Sequence, residues 1–364
     1  MLFKRPAILM TTLVGSALLL ALTLGACSES SAEKDSTGSS SSSSPSGAGA
    51  TATEVRLGYF PNVTHAPALV GLAEDTFKEQ LGDTKLVASA FNAGPEATEA
   101  LFAEALDITY IGPNPSINAF AQSNGEAVRI VSGSTSGGVS FVVQPEISSP
   151  NDLKGKKVAS PQLGGTQDVA LRVWLKDQGL ETTTSGGGDV SITPLANADT
   201  LTAFRDGQIA GAWVPEPWAS RLIAEAGGKV LVNEADLWPD GQYVTTQVLV
   251  RTEFLDKYPG TVRAILQGHL DALALIESDP AKAQADTNDQ IEAVTQKRLP
   301  ESVIASAWKN LTFTADPIAT SLKKSAEDAE SVDLLDEVNL KGIYSLELLN
   351  SLLTSENKTG VDGL

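Results

Sequence analysis

The stretch ITYIGPNPSINAFA, residues 108–121, recurs in outline as GAWVPEPWASRL, residues 211–222. Each reads as a short apolar strand, a Pro-x-Pro turn and a helix. Tyr110-Ile111 aligns with Trp213-Val214, and PNP aligns with PEP after a one-residue gap. Upstream of the first copy the chain alternates in the same way: strand VRLGYF (55–60), a loop at Pro61, and an apolar-periodic helix over 66–79. Strand KLVASAF (85–91) and a Gly94-Pro95 turn then enter a helix through EATEALFAEAL, with Pro95 suited to a first helical turn. RIVSGS (129–134) closes that series as a strand. Around the second copy come strand KKVAS (156–160), a Gly-rich loop, a helix stopped by Gly179, strand VSITPL (190–195), helix ADTLTAFRDG and strand KVLVN (229–233). A period of about a hundred residues is far too long for a solenoid and marks two lobes. Strands alternating with helices of this length predict an α/β class with two doubly wound, mostly parallel sheets.

Two β-branched runs bracket the second copy, GGVSFVVQ (137–144) and YVTTQVLVRTEF (243–254). They are expected to pair as two antiparallel crossover strands, a two-strand hinge. The first lobe is then residues 54–140 plus 247–364, and the second is 141–246. After the return run the chain turns helical, and Asp279 followed by Pro280 reads as an N-cap and first helical position. These helices are expected to form an arm wrapping back on the first lobe.

The chain has 364 residues, 42% hydrophobic, enough for two lobes with real cores. Its 26 Lys and Arg against 45 Asp and Glu give a net charge of −19, with no basic run, which argues against nucleic acid as a partner. A single Cys and two His exclude a Cys-rich metal site or an intramolecular disulfide framework, and no metal or cofactor is expected. Lys4 and Arg5 precede an apolar run over 7–24 that is near membrane-spanning length, so a secretory signal competes with an anchor. Its LGAC ending, residues 24–27, resembles a bacterial lipobox and favours a lipoprotein signal peptide, residues 1–26, with lipid on Cys27. Residues 27–53, rich in Ser and Gly, have little apolar surface to bury and read as a flexible tether. The body is thus expected on the extracytoplasmic face of a cell membrane.

In open α/β sheets ligands bind beyond the carboxyl ends of the strands. The candidate loops are FPNVTHAP, NAG (92–94), GPNPS, GSTSGG, QLGGTQ, ANAD and VPEPW, almost free of charge. Several enter helices directly, an arrangement that holds an anion through backbone N–H groups without Lys or Arg. QLGGTQ lacks the ending of a phosphate-cradling loop and the spacing of a dinucleotide fingerprint. Gly164 and Gly165 either let a ligand approach, with Thr166 and Gln167 donating, or simply form a capped turn. His65 either contacts a ligand or caps its loop; His269 lies in a helical stretch. Glu216, between two prolines, is either a buried base or a loop-fixing residue. Phe60 and Trp218 either cover a ligand tail or belong to the core. No Gly-x-Ser-x-Gly elbow is present and no catalytic residue is assigned.

VRLGYFP, FNAGPEATEAL, YIGPNPSINAFA, DLKGKKVASPQLGGTQDVALRVWLK and GAWVPEPWASRL together resemble the nitrate/taurine/aliphatic-sulfonate binding family of ABC-importer solute-binding lipoproteins. The similarity is good from residue 55 through the KVLVN strand and looser beyond it. The resemblance implies a periplasmic-binding-protein-like (type II) fold that closes over a small oxyanion, an aliphatic sulfonate or taurine, with nitrate possible. It implies oxyanion contacts from Asn114, Ser116, Ser134, Thr135, Ser136, Ser140, Gly165, Thr166 and Gln167, with Glu216 in a crevice turn where relatives vary. It implies delivery to ABC permease transmembrane subunits with their cytoplasmic ATPase; a monomer is expected, and the lipobox with the lack of a catalytic constellation favours a receptor over an enzyme. A binder of a thiamine-pyrimidine-type heterocycle and an extracytoplasmic enzyme using Glu216 or His65 are the alternatives.

Overall fold

A computed structural model describes residues 49–364. The expected signal region, Cys27 and most of the tether lie outside the described residues. Residues 50–53, expected in the tether, are held by the body: the Ala52 amide donates to Thr261 Oγ1 at 2.8 Å, and the Gly260 amide donates to the Ala50 carbonyl.

The first lobe is built as β1 (Glu54–Tyr59), α1 (Ala66–Ala73), α2 (Thr76–Leu81), β2 (Lys85–Ala90), α3 (Gly94–Phe102), β3 (Ile108–Ile111), α4 (Pro113–Gln122) and β4 (Val128–Gly137). The single helix expected over 66–79 is broken in two at Asp75, whose φ of 55° ends one helical path and starts the next. The second lobe follows as β5 (Val139–Val143), β6 (Lys157–Ser160), α5 (Thr166–Asp177), β7 (Ser191–Pro194), α6 (Asn197–Arg205), β8 (Gly211–Pro215), α7 (Trp218–Ala226) and β9 (Lys229–Asn233). The chain returns through β10 (Val244–Arg251). Then come α8 (Thr252–Lys257), α9 (Pro259–Ser278), α10 (Pro280–Thr295), α11 (Glu301–Trp308), β11 (Leu311–Phe313), α12 (Ala319–Ser331) and α13 (Glu347–Ser355). Asp279 caps α10 as expected, its carboxylate accepting from the Lys282 amide at 3.0 Å.

The six-stranded sheet runs β11-β4-β10-β3-β1-β2 and the five-stranded sheet β7-β6-β8-β5-β9. Apart from the edge strand β11, the two orders correspond strand for strand. The strands of the repeated motif, β3 and β8, are central in their sheets, and β10 and β5 fill equivalent antiparallel slots. The two crossing strands therefore do not pair with each other. A strand set between two others has its backbone groups partnered on both sides, so each crossing strand is locked into its own sheet. The outward crossing is the Gly137-Gly138 pair, with φ of 79° and 74°, where a side chain is disfavoured and a Cβ on Gly138 would meet Leu311 at 2.1 Å.

Both sheets are buried on both faces, and the strands show it by alternation. Val139, Phe141 and Val143 of β5 enter one core with Trp213, while Val142 enters the other with Val214 and Leu222. Val248 and Val250 of β10 face one core, and Leu249 faces the other. The terminal helices complete the first core through Val262, Ile265, Ile291, Ile304 and Leu349. The arm reaches further than expected, because α12 also lies against α5 and α11 against α7 of the second lobe.

Candidate functional site

The carboxyl ends of the parallel strands in both sheets open on one interlobe cavity of about 40 Å³. After β1 the wall is Phe60, Asn62, Thr64 and His65; after β2, Asn92 to Gly94; after β3, Gly112 and Pro115. The second lobe adds Gln162 and Gly165 to Gln167 after β6, Asn197 after β7 and Pro215 at the end of β8. Thr245 and Thr246 of β10 form the back. Among the described residues, the wall contains no Lys, Arg, Asp or Glu.

Four helices begin at this cavity: α3 at Gly94, α4 just after Gly112, α5 at Thr166 and α6 at Asn197. In none of them does the N-cap side chain accept from the first turn. Their dipoles, and the leading N–H groups that remain where Pro95 of α3 and Pro113 and Pro115 of α4 supply none, therefore present partial positive charge to the cavity. Thr166 Oγ1, Asn197 Oδ1 and Thr246 Oγ1 are buried without a partner among the described residues. A water needs ~10–15 Å³ on the same measure, so the cavity takes about three waters or one compact head group. A small anion satisfies the N–H groups and hydroxyls at once, with no counter-charge required.

The loop that supplies Gly165 to Gln167 is anchored from beneath. Asp168 is fully buried and accepts from Ser160 Oγ at 2.7 Å, Arg172 Nε at 2.9 Å and the Gly164 amide at 3.1 Å. Arg172, equally buried, donates on to the Thr183 carbonyl. Opposite, the His65 ring stacks obliquely on Phe60 at 4.4 Å, and its Nδ1 accepts from the Phe60 amide at 3.3 Å. Burial pushes His65 down to about 3, so the imidazole is neutral and offers a dipole, not a charge.

The lobes are drawn together across the cleft. Trp218 Nε1 donates to Asn62 Oδ1 at 2.8 Å, the Thr64 amide to the Glu216 carbonyl at 3.4 Å and Asn118 Nδ2 to the Gly164 carbonyl at 3.4 Å.

Of the residues singled out in the sequence, Phe60, His65, Gly165, Thr166 and Gln167 line the cavity. The others are placed elsewhere. Asn114 Nδ2 donates to the Ser325 carbonyl of α12, and Ser116 Oγ donates back to the Gly112 carbonyl at the start of its own helix. Ser134, Thr135 and Ser136 are buried on β4, which pairs with the late strand β11; Ser136 Oγ accepts from the Tyr243 amide, while Ser134 Oγ and Thr135 Oγ1 have no partner among the described residues and do not line this cavity. Ser140 lies within the hydrogen-bonded middle of its sheet, on β5. The Glu216 carboxylate accepts from the Ser220 amide and hydroxyl and from Asn310 Nδ2 at 2.8 Å, tying the second lobe to the arm. Burial pushes it above the ordinary carboxylate range. Trp218 faces a neighbouring outer chamber. His269 bridges Tyr110 Oη and the Gly133 carbonyl inside the first lobe. Asn62, Thr64, Asn92 and Asn197 sit in loops the sequence flagged without being singled out. Thr245 and Thr246 lie on a strand and gave no loop signal.

Two like-built lobes that close on a charge-free cavity at their strand ends define a bilobal solute-binding fold. The chain belongs to the NMT1-like family, whose model matches residues 48–288. It is 30% identical over 206 residues to the taurine-binding periplasmic protein of Escherichia coli (strain K12), covering 57% of this chain and 62% of that relative. The match thus spans about three fifths of that relative's length. A putative aliphatic sulfonates-binding protein of Bacillus subtilis (strain 168) is 24% identical over 318 residues, covering 84% of this chain and 90% of the relative. The alkanesulfonate-binding protein SsuA from Xanthomonas axonopodis pv. citri, solved bound to MOPS, superposes with a TM-score of 0.65. Its sequence is 21% identical, and the superposition covers 79% of this chain and 96% of that one.

Proposed function

We propose that the chain is the solute-binding component of an ABC importer. It takes a small oxyanion, an aliphatic sulfonate or taurine, in the interlobe cavity and delivers it to a membrane permease served by a cytoplasmic ATPase. The observation that carries this reading is the convergence of four uncapped helix N-termini and the unpartnered hydroxyls of Thr166 and Thr246 on one uncharged cavity. Phe60, His65, Gly165, Thr166 and Gln167 are the contacts from the sequence reading that we retain, joined by Asn62, Thr64, Asn92, Asn197, Thr245 and Thr246. A ligand touching both lobes stabilises the closed form by its differential affinity, and the closed form is what a permease would recognise. We take the folded body to act outside the cytoplasm, anchored through a lipid on Cys27, and to be a receptor, not an enzyme.

A thermal-shift panel of alkanesulfonates, taurine, sulfate, nitrate and a pyrimidine tests the assignment, since a ligand specific to the folded state raises Tm by mass action. Sulfonates at a hundredfold excess over Kd add about 2.7 kcal/mol of stability. A response to the pyrimidine alone refutes the oxyanion reading, and recovery of a chemically altered ligand refutes the receptor reading. Mass spectrometry of Cys27 in the membrane fraction checks the anchor.

A further inference from the structure

Outward of the head-group cavity lies a second chamber of about 350 Å³ that shares Asn62, Asn92 and Asn197 with it. Its chemistry is different. Leu201, Ile291, Leu299 and the Trp218 indole give it an apolar wall, and the indole is fixed by its hydrogen bond to Asn62. Among the described residues, Arg205, Arg221 and Lys297 are the only ionisable side chains on its wall. In a chain with 45 Asp and Glu against 26 Lys and Arg, a lining of cations without carboxylates runs against composition.

The cations are incompletely neutralised. Arg221 contacts both oxygens of Glu225, at 2.7 and 3.3 Å, while its guanidinium lies 4.5 Å over Trp218. Lys297, from the arm, reaches the same Glu225 carboxylate at 3.5 Å, so two cations share one anion. Arg205 has only a 3.9 Å contact with Asp206, and both side chains are about half exposed. Together the two spaces form a bipartite site, with a compact uncharged cavity for one head group and a roomier chamber biased toward negative charge.

Resting on the sulfonate reading above, we propose that the outer chamber is a subsite for a second anionic group. The solute is then a dianionic organosulfonate, a sulfonate joined by a short carbon chain to a carboxylate, in preference to taurine. Taurine's ammonium would sit at the same distance from its sulfonate and meet these cations instead.

Propanesulfonate, taurine and sulfopropionate share a head and a two-carbon spacer and differ only in ending on a methyl, an ammonium or a carboxylate. Calorimetric titration of the full chain with all three is expected to rank sulfopropionate about tenfold tighter than propanesulfonate and taurine weakest, the size expected for one charge in a half-wet chamber. Arg205→Gln, at an exposed helix end, should shrink the sulfopropionate-to-propanesulfonate ratio to below about threefold. Equal affinities, taurine binding tightest, or a ratio untouched by Arg205→Gln overturns the subsite while leaving the sulfonate receptor standing. Failure of all three to bind overturns the receptor reading itself and the subsite with it.

Discussion

Replacing Asp168 by Ala removes the carboxylate that holds the floor of the anion-binding loop. Three donors lose their acceptor, namely Ser160 Oγ, the Gly164 amide and Arg172 Nε. The largest consequence falls on Arg172, whose side chain is 2% exposed and would be left as an unpaired buried charge. Breaking a buried pair in this way costs about 3–5 kcal/mol. With unfolding entropy near 2.1 cal/mol/K per residue, a body of roughly 300 residues loses about 1.5 °C for each kcal/mol, so Tm should fall by about 5–8 °C. Gly164, just ahead of the Gly165 N-cap, loses its tie, and the loop must be reordered on binding, so sulfonate affinity should fall by about tenfold or more. Adding Arg172→Met removes the stranded charge. Because replacing both members of a buried pair by apolar groups is often close to neutral, the double variant should recover most of the Tm loss. It should not recover the affinity, because the Gly164 amide is still unanchored. Thermal unfolding by circular dichroism and calorimetric titration on the three proteins separate the two effects. A Tm within about 1 °C of the parent for Asp168→Ala, or full affinity in the double variant, refutes the idea that this pair shapes the loop.

Three further outcomes follow from the geometry. Gly112 carries no φ strain, but a Cβ there would stand 2.5 Å from Thr166 Oγ1 on the opposite lobe. Gly112→Ala should therefore abolish tight solute binding with little change in Tm, and small-angle scattering should show a more open molecule. Trp218→Phe removes the interlobe hydrogen bond to Asn62, worth about 0.5–1.5 kcal/mol, so affinity should drop by about two- to tenfold in a calorimetric titration. His65 and His269 are pushed down by burial to about 3 and about 4, below their value of about 6.5 in the unfolded chain. As pH falls below about 6.5 the unfolded chain takes up these protons first, a loss of stability that the raised carboxyls of Glu216 and Glu234, the latter at about 7, oppose over the same window. The check is therefore made ring by ring: both imidazoles should keep neutral-ring NMR shifts at pH 5, and titration of either near 6.5 contradicts buried neutral histidines.

The repeated strand–Pro-x-Pro–helix segment was legible because each copy carries two prolines at the turn after a short, wholly buried strand inside its sheet. The break between α1 and α2 was not legible, since it falls at Asp75 with no glycine or proline to mark it, and only the tertiary course of the chain puts Asp75 at positive φ. The pairing of the crossover strands was misread because local pattern identifies a strand but not its neighbour, and β10 finds its partners in β3 and β4 more than a hundred residues earlier. The same limit explains the site. Loops that follow strands could be named from Gly, Pro and Asn, and Phe60, His65 and the Gly165 to Gln167 turn were among them. Ser134 to Ser136 look equally available in the sequence, yet they are buried on β4, whose backbone is paired by residues 311–314 returning from far along the chain. Thr245 and Thr246 line the cavity from a strand where one register shift lies between Val244 and Thr246 and another between Thr246 and Gln247, an irregularity the β-branched run conceals.

The exchange of strands between the sheets also dictates an order of assembly. Every strand of the five-stranded sheet, β5 to β9, comes from one unbroken stretch, so that sheet can close as soon as its residues are available. The six-stranded sheet cannot. Until β10 arrives, β3 and β4 face a vacant slot with two open hydrogen-bonding edges, and their apolar faces lack the helices that follow β10. A chain emerging N-terminus first would make β1 to β4 earliest yet finish that sheet last. Closing this long-range gap is the step with the greatest loop-closure cost, and hence the one expected to limit refolding. During that interval the incomplete first lobe is the part of the molecule most exposed to aggregation.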